Sequence, residues 1–145
     1  MKYLLDSNVL SEWWKPSPDA KLAAFLERGG WLVPSPAIAE IQEGAQGDPI
    51  EARKIQINSK LDDFLRDFET LVVLWDAETA RTWGRLKHSP EVKRQPQPLW
   101  DSLIDAMAVQ NELIVATRNG KDFRHANIFN PWTDSEDLSG EHTAG

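Results

Sequence analysis

Four stretches of the chain place carboxylates or their neutral relatives where apolar surroundings make them costly. Asp6 closes the short apolar run that begins at Lys2, and Ser7 and Asn8 follow it. An Asp in that place also suits the start of a helix, where its side chain accepts from free N–H groups. Glu40 stands in Ala37-Ile38-Ala39-Glu40-Ile41, with Glu43 three residues on. An unpaired carboxylate is expensive to bury there, so a solvent-facing place on an amphipathic helix is the weaker reading. Asp101 and Asp105 are four residues apart, on one face of one helix, among Leu103, Ile104, Ala106, Met107 and Ala108. Like charges so placed repel unless a cation or a proton intervenes. Asp101 could instead serve the positive end of its helix; Asp105 is too far in for that. The fourth stretch, Thr117-Arg118-Asn119-Gly120-Lys121-Asp122, adds a hydroxyl, an amide and a carboxylate.

No cysteine exists in the chain and no histidine joins these sets. The donors are therefore oxygens, which suit a hard cation, Mg2+ or Mn2+. Such ions polarise a phosphoryl oxygen and yield hydroxide from water near neutral pH. Phosphodiester hydrolysis is the reaction class that fits.

The elements that must carry these groups alternate. Strands are expected at Lys2 to Leu5, Trp31 to Val33, Leu71 to Trp75, Leu113 to Ala116 and, weakly, Asn127 to Phe129. The run Leu71 to Trp75 reads as a strand buried on both faces. Ser17 before Pro18, and Ser35 before Pro36, read as a capping hydroxyl with proline at the first helical position. Gly29-Gly30 stops the first of these helices. A long amphipathic stretch marked by Ile55, Leu61, Leu65 and Phe68 follows the turn Gly47-Asp48-Pro49. Asp76 caps a helix from Ala77 to Lys87, the three prolines between Ser89 and Pro98 predict a loop, and Trp100 to Asn111 is a helix. Alternation of this kind makes the class α/β with a largely parallel sheet, and chemistry in such sheets collects at the carboxyl ends of the strands.

With 145 residues, 41% of them hydrophobic and 27% charged, the chain suits one domain with a real core. No apolar run approaches a membrane span, and the run before Asp6 is too short for a secretory signal, so a cytoplasmic protein is expected. The net charge of -7 argues against a broad basic footprint. A local strip, Arg81, Arg85, Lys87, Lys93 and Arg94, could still guide a nucleic-acid strand, or be a solvated helix face. Of the seven tryptophans, Trp13 and Trp14 are adjacent and cannot both face one way. One of them is expected to meet a partner.

These stretches together resemble the PIN domain, and within it the VapC and FitB toxins. The resemblance rests on Leu4 to Glu12, Ala39-Glu40-Ile41 with Gly44, Asp101-Ser102-Leu103-Ile104 with Ala106 and Ala108, Val115 to Asn119 with Asp122-Phe123, and the closing Phe129-Asn130-Pro131-Trp132. It implies a three-layer α/β/α sandwich over residues 1–132 with about five mostly parallel strands, leaving 133–145 as a polar, acidic tail expected to be disordered. It implies Mg2+ or Mn2+ held by Asp6, Glu40 and Asp101, RNA as substrate, a homodimer, and an antitoxin that neutralises the toxin and binds promoter DNA. Asn8 and Thr117 fall where they would support the site or a phosphate. Arg85, Lys87, Lys93 and Arg94 become candidates for guiding RNA. The sequence departs from the family at Ser7, usually Thr, and at Asp105, usually Ala. The fourth acidic position matches Asn119 in FitB-like members and lies nearer Asp122 in others, so Asn119, Asp122 and Asp105 are secondary metal candidates.

Other readings are open. A haloacid-dehalogenase-like phosphatase needs a second Asp where Asn8 stands. A receiver domain using Asp76 needs an acidic pair after the first strand, which is absent. A degenerate PIN domain that binds partners without cutting is the rival that Asn119 favours.

Overall fold

In a computed structural model, residues 2–136 are described. Five strands form one sheet: β1 (Tyr3–Leu5), β2 (Trp31–Pro34), β3 (Val72–Val73), β4 (Ile114–Ala116) and β5 (Ile128–Phe129). Their order is β3-β2-β1-β4-β5, and every neighbouring pair is parallel. Helices fill the connections: α1 (Ser7–Trp13), α2 (Ala20–Glu27), α3 (Ser35–Gln46), α4 (Glu51–Phe68), α5 (Ala77–Leu86), α6 (Pro90–Arg94) and α7 (Leu99–Asn111). The central strand β1 is buried on both sides, Leu4 and Leu5 completely, as a strand between two helical layers must be. The fold is the expected three-layer α/β/α sandwich.

Chain order sets where a site can form. From β1 the chain winds outward through β2 and β3, then returns to lay β4 on the other side of β1. The carboxyl ends of β1 and β4 therefore flank the switch point of the sheet, where a crevice opens. Gly29 and Gly30, at φ 74° and 82°, end α2 in the left-handed region that glycine tolerates. They let the chain turn directly into β2.

Several local expectations are corrected. Asp19, not Ser17, caps α2, accepting from the Leu22 N–H at 3.0 Å. The chain enters α3 through Pro34, and Ser35 is already helical; its hydroxyl accepts from Trp75 N instead. Within the expected loop from Ser89 to Pro98, Pro90 to Arg94 form a short helix capped by Ser89. Pro90 sits at the helix start, where its missing N–H costs nothing. Only Pro96 and Pro98 break the chain. The strand β3 is two half-buried residues at the sheet edge, and Leu74 is 71% exposed. On α4, Leu61 is buried but Ile55 and Leu65 are exposed. Contacts also continue past Trp132: Lys21 Nζ donates to the Thr133 carbonyl at 2.9 Å, and Glu136 meets Arg28 and the Tyr3 hydroxyl. The rest of the polar tail, residues 137–145, lies outside the described residues.

Candidate active site

Asp6 sits at the switch point. It is the residue after β1 and the cap of α1, so both readings of it hold at once: its carboxylate accepts from the Ser7 N–H at 2.8 Å. It also accepts from the Thr117 hydroxyl at 2.7 Å and from Asn8 Nδ2 at 3.1 Å. The Thr117 contact spans the gap between the ends of β1 and β4. Thr117 Oγ1 in turn receives Asn8 Nδ2 and the Asn119 N–H, at 3.3 and 3.0 Å. Asn8 and Thr117 thus brace Asp6, which is 2% exposed. Burial pushes the Asp6 carboxyl above its ordinary value, the donors from Thr117 and Ser7 oppose that, and Asp122 adds to it.

Glu40 reaches the same place from α3, where the Ser7 hydroxyl donates to it at 2.8 Å. Ser7 is the link between the two acids. Glu40 is half-buried. Its carboxyl is raised by burial, lowered by Ser7, and raised again by the charges of Asp6 and Glu43. Asp101 comes from the first turn of α7. Among the described residues no hydrogen-bond donor faces its carboxylate. Burial, then the charges of Asp6, Asp122, Glu40 and Asp105 in that order, push it up to about 7. Three elements therefore bring Asp6, Glu40 and Asp101 together, and Asp122 joins them from a single 3-10 turn at Gly120–Asp122.

Asp105 has another occupation. It is 1% exposed and accepts from the N–H groups of His125 and Arg124 at 3.4 Å and of Ala126 at 2.9 Å. Gln97 Nε2 at 3.2 Å and His125 Nδ1 at 3.0 Å complete the set. The structure therefore ties Asp105 into the turn after Asp122 rather than leaving it free for the cluster. Asn119 is exposed and engages Thr117 through its backbone. Arg85 lies in the last turn of α5 and Lys87 caps its end, 4.9 Å over the Trp83 ring. Arg94 lines a separate hollow with Lys121 and Arg124. Neither Lys121 nor Arg124 is among the cations expected to guide RNA. The charge density of Lys121-Asp122-Phe123-Arg124-His125 was the available signal.

The donor set fits a hard divalent cation in kind, being carboxylates that raise one another's proton affinity, as a cation would relieve. Among the described residues no three Asp, Glu, His or Cys side chains already stand close enough to grip a metal.

The chain belongs to the PIN-domain family, whose model matches residues 3–128. It is similar to VapC ribonuclease Y4jK of Sinorhizobium fredii, 27% identical over 135 residues, covering 89% of this chain and 96% of that protein. It is equally similar to Toxin FitB of Neisseria gonorrhoeae, 27% identical over 137 residues, 90% of this chain and 99% of the relative. Its fold superposes on the crystal structure of FitAcB from Neisseria gonorrhoeae with a TM-score of 0.75 at 26% identity, covering 90% of this chain and 98% of that one. No helix among the described residues is long and apolar enough to cross a membrane.

Proposed function

We propose that this chain is a Mg2+- or Mn2+-dependent endoribonuclease, the cytoplasmic toxin of a toxin–antitoxin pair. What supports this reading is the placement of Asp6 at the end of β1, linked through Ser7 to Glu40 of α3, with Asp101 in the first turn of α7 feeling the charges of both. These three carboxylates hold the cation, with Asp122 the best placed of the secondary ligands. The bound ion supplies Lewis-acid polarisation of a phosphoryl oxygen and a water acidic enough to attack it. The chain's own part is to hold the carboxylates still: Thr117, Asn8 and Ser7 fix both oxygens of Asp6, and Ser7 fixes Glu40. The similarity to a VapC ribonuclease and to Toxin FitB supports RNA as substrate and the toxin role.

The antitoxin, which carries the complex to promoter DNA, docks in the groove between the end of α1 and α4. That groove, of about 380 Å3, has Trp14, Ile41 and Ile57 as its apolar floor and Lys15, Arg53 and Lys60 on its rim. Trp13 turns inward instead, 5.5 Å from the Trp31 ring, so Trp14 is the partner-facing member of the pair. The active protein is a homodimer.

A partner-binding domain that does not cut RNA is the second reading. It is favoured by Asn119, a neutral amide where a fourth acid would supply charge. Incubating the purified chain with RNA and Mn2+, with and without EDTA, separates the two. Cleavage that EDTA abolishes and added Mn2+ restores is expected; RNA left intact in every condition would establish the binding role.

A further inference from the structure

Beside the carboxylate cluster lies a hollow of opposite sign. Glu91, Arg94 and Gln95, on and just after α6, face Lys121, Phe123 and Arg124 across a cavity of about 580 Å3. Three cations meet one carboxylate here, in a chain whose net charge is -7. Among the described residues none of the three cations is held in an ion pair. Glu91 stands 3.5 Å from His125 Nε2 and feels Arg94 only as a weaker charge.

The hollow is also braced. Arg124 Nε donates to the Gln95 carbonyl at 2.9 Å, and its Nη1 donates to the Lys121 carbonyl. Carbonyl partners fix the direction of a guanidinium without cancelling its charge. Gln97 Nε2 holds the Asp122 carbonyl at 3.0 Å. Beneath, Asp105 gathers the N–H groups of residues 124–126, and His125 carries the connection on from Asp105 to the Ser89 hydroxyl at 2.9 Å. Ser89 caps α6, so this chain of contacts clamps one wall of the hollow to the other. An anion entering it meets a preformed cationic surface, which lowers the ordering cost of binding.

The turn that supplies Lys121 and Arg124 also supplies Asp122, and Gln97 Nε2 ties the Asp122 carbonyl at 3.0 Å to Asp105 at 3.2 Å, one turn from Asp101 on α7. Hollow and cluster are therefore neighbours. We infer that the hollow between α6 and residues 121–124 binds the phosphodiester backbone of single-stranded RNA, next to the bond presented to Asp6, Glu40 and Asp101. Guanidinium groups suit phosphate in geometry as well as charge. The identity of the polymer rests on the ribonuclease reading; the anion site itself rests on the hollow.

The test is RNA binding by the full chain carrying Asp6→Asn, which keeps the probe intact. A short, unstructured, fluorescein-labelled RNA is titrated by anisotropy at several salt concentrations. Arg94→Gln with Lys121→Gln is expected to weaken binding by about tenfold and to flatten the slope of log K against log salt by about 1.4, two single-strand phosphates at about 0.7 each. Arg85→Gln with Lys87→Gln removes the same charge from the C-terminal end of α5 and its cap and is expected to weaken binding less than about threefold. Unchanged affinity and slope in the first pair overturns the inference. So does an equal loss in both pairs, which marks a bulk charge effect, and so does a chain that binds no RNA. If the first pair governs binding while the unaltered chain with Mn2+ leaves RNA uncut, the anion site stands and the ribonuclease reading falls.

Discussion

Asp101 and Asp105 are the same residue type, one turn apart on one helix, and they live in different chemistry. Asp105 is 1% exposed and surrounded by donors: three backbone N–H groups, an amide and an imidazole. Asp101 is less buried, yet its neighbours are other carboxylates, and it holds its proton up to about 7. Burial alone therefore does not decide how a carboxylate is held. What separates them is whether the fold supplies partners for the charge. A buried carboxylate with its hydrogen bonds complete is part of the framework. A set of carboxylates with too few donors is stabilised only by something brought from outside.

Substitutions sharpen this contrast. Asp6→Asn is expected to show the largest effect: loss of metal-dependent RNA cleavage by about a hundredfold or more, the scale of removing a group that acts on the developing charge. Its metal-free melting temperature should equal or exceed that of the original chain, because a repelled charge is gone. A variant that cuts RNA normally would exclude Asp6 from the site. Asp105→Ala should do the reverse. It strands several donors in a closed place and should lower unfolding free energy by about 3 kcal/mol, read by urea titration, while calorimetry on the remaining folded protein gives unchanged Mn2+ affinity. A drop in Mn2+ affinity with normal stability would return Asp105 to the metal site.

The same two residues show how far a sequence can be read. The cost of each acid was legible, because apolar neighbours advertise it. The partners were not. Nothing near Asp105 in sequence announces the turn at 124–126 that satisfies it, since that pairing is made by the return of the chain after β4. The five strands were legible for a local reason: short apolar runs that end at glycine or polar residues. The exposure of β3 was not, because burial on both faces depends on strand order, and β3 falls at an edge. Ser17 and Asp19 both had the chemistry of a cap, and only the entry angle of α2 decides between them. The loop expected after Ser89 is partly helix because Pro90 stands at a helix start, where proline is tolerated rather than a breaker. In the candidate site, the family pattern pointed to Asp6, Glu40 and Asp101, while the bracing by Thr117 and Ser7 emerges only from the geometry.

The pH dependence follows with a definite sign. The ordinary Asp101 carboxyl titrates near 3.8, and in the folded chain it is pushed up to about 7. Between those values the folded state binds more protons than the unfolded one, so this group's contribution to stability falls as pH rises and levels off above about 7. In EDTA, Asp101→Asn removes that loss. The stability of the variant relative to the original chain should therefore be nearly constant below about pH 4, grow through the window, and reach a plateau above about pH 7. Chemical denaturation at pH 5, 6, 7 and 8 reads it. A difference that does not vary with pH would mean that Asp101 is an ordinary surface carboxylate.

The smallest effects concern the fourth acid, and they compare two residues on one loop. Asn119 is exposed and is tied to Thr117 only through its backbone N–H, so a carboxylate placed there has room to turn to water. Asp122 is closer in effect: its charge raises the carboxyls of both Asp6 and Asp101. Asp122→Asn should weaken Mn2+ binding by about tenfold, on the scale of losing an outer partner of a metal site. Asn119→Asp should strengthen it by no more than about threefold, since an exposed charge is screened by solvent. The carbonyl of Asp122, which Gln97 holds, is kept in the Asn variant, so the turn should survive and the comparison should report charge alone. Calorimetric Mn2+ titration of the two variants at low salt measures both. The reverse ranking, with Asn119→Asp giving the larger change, would move the fourth position to residue 119 and leave Asp122 as a bystander whose charge only perturbs the site.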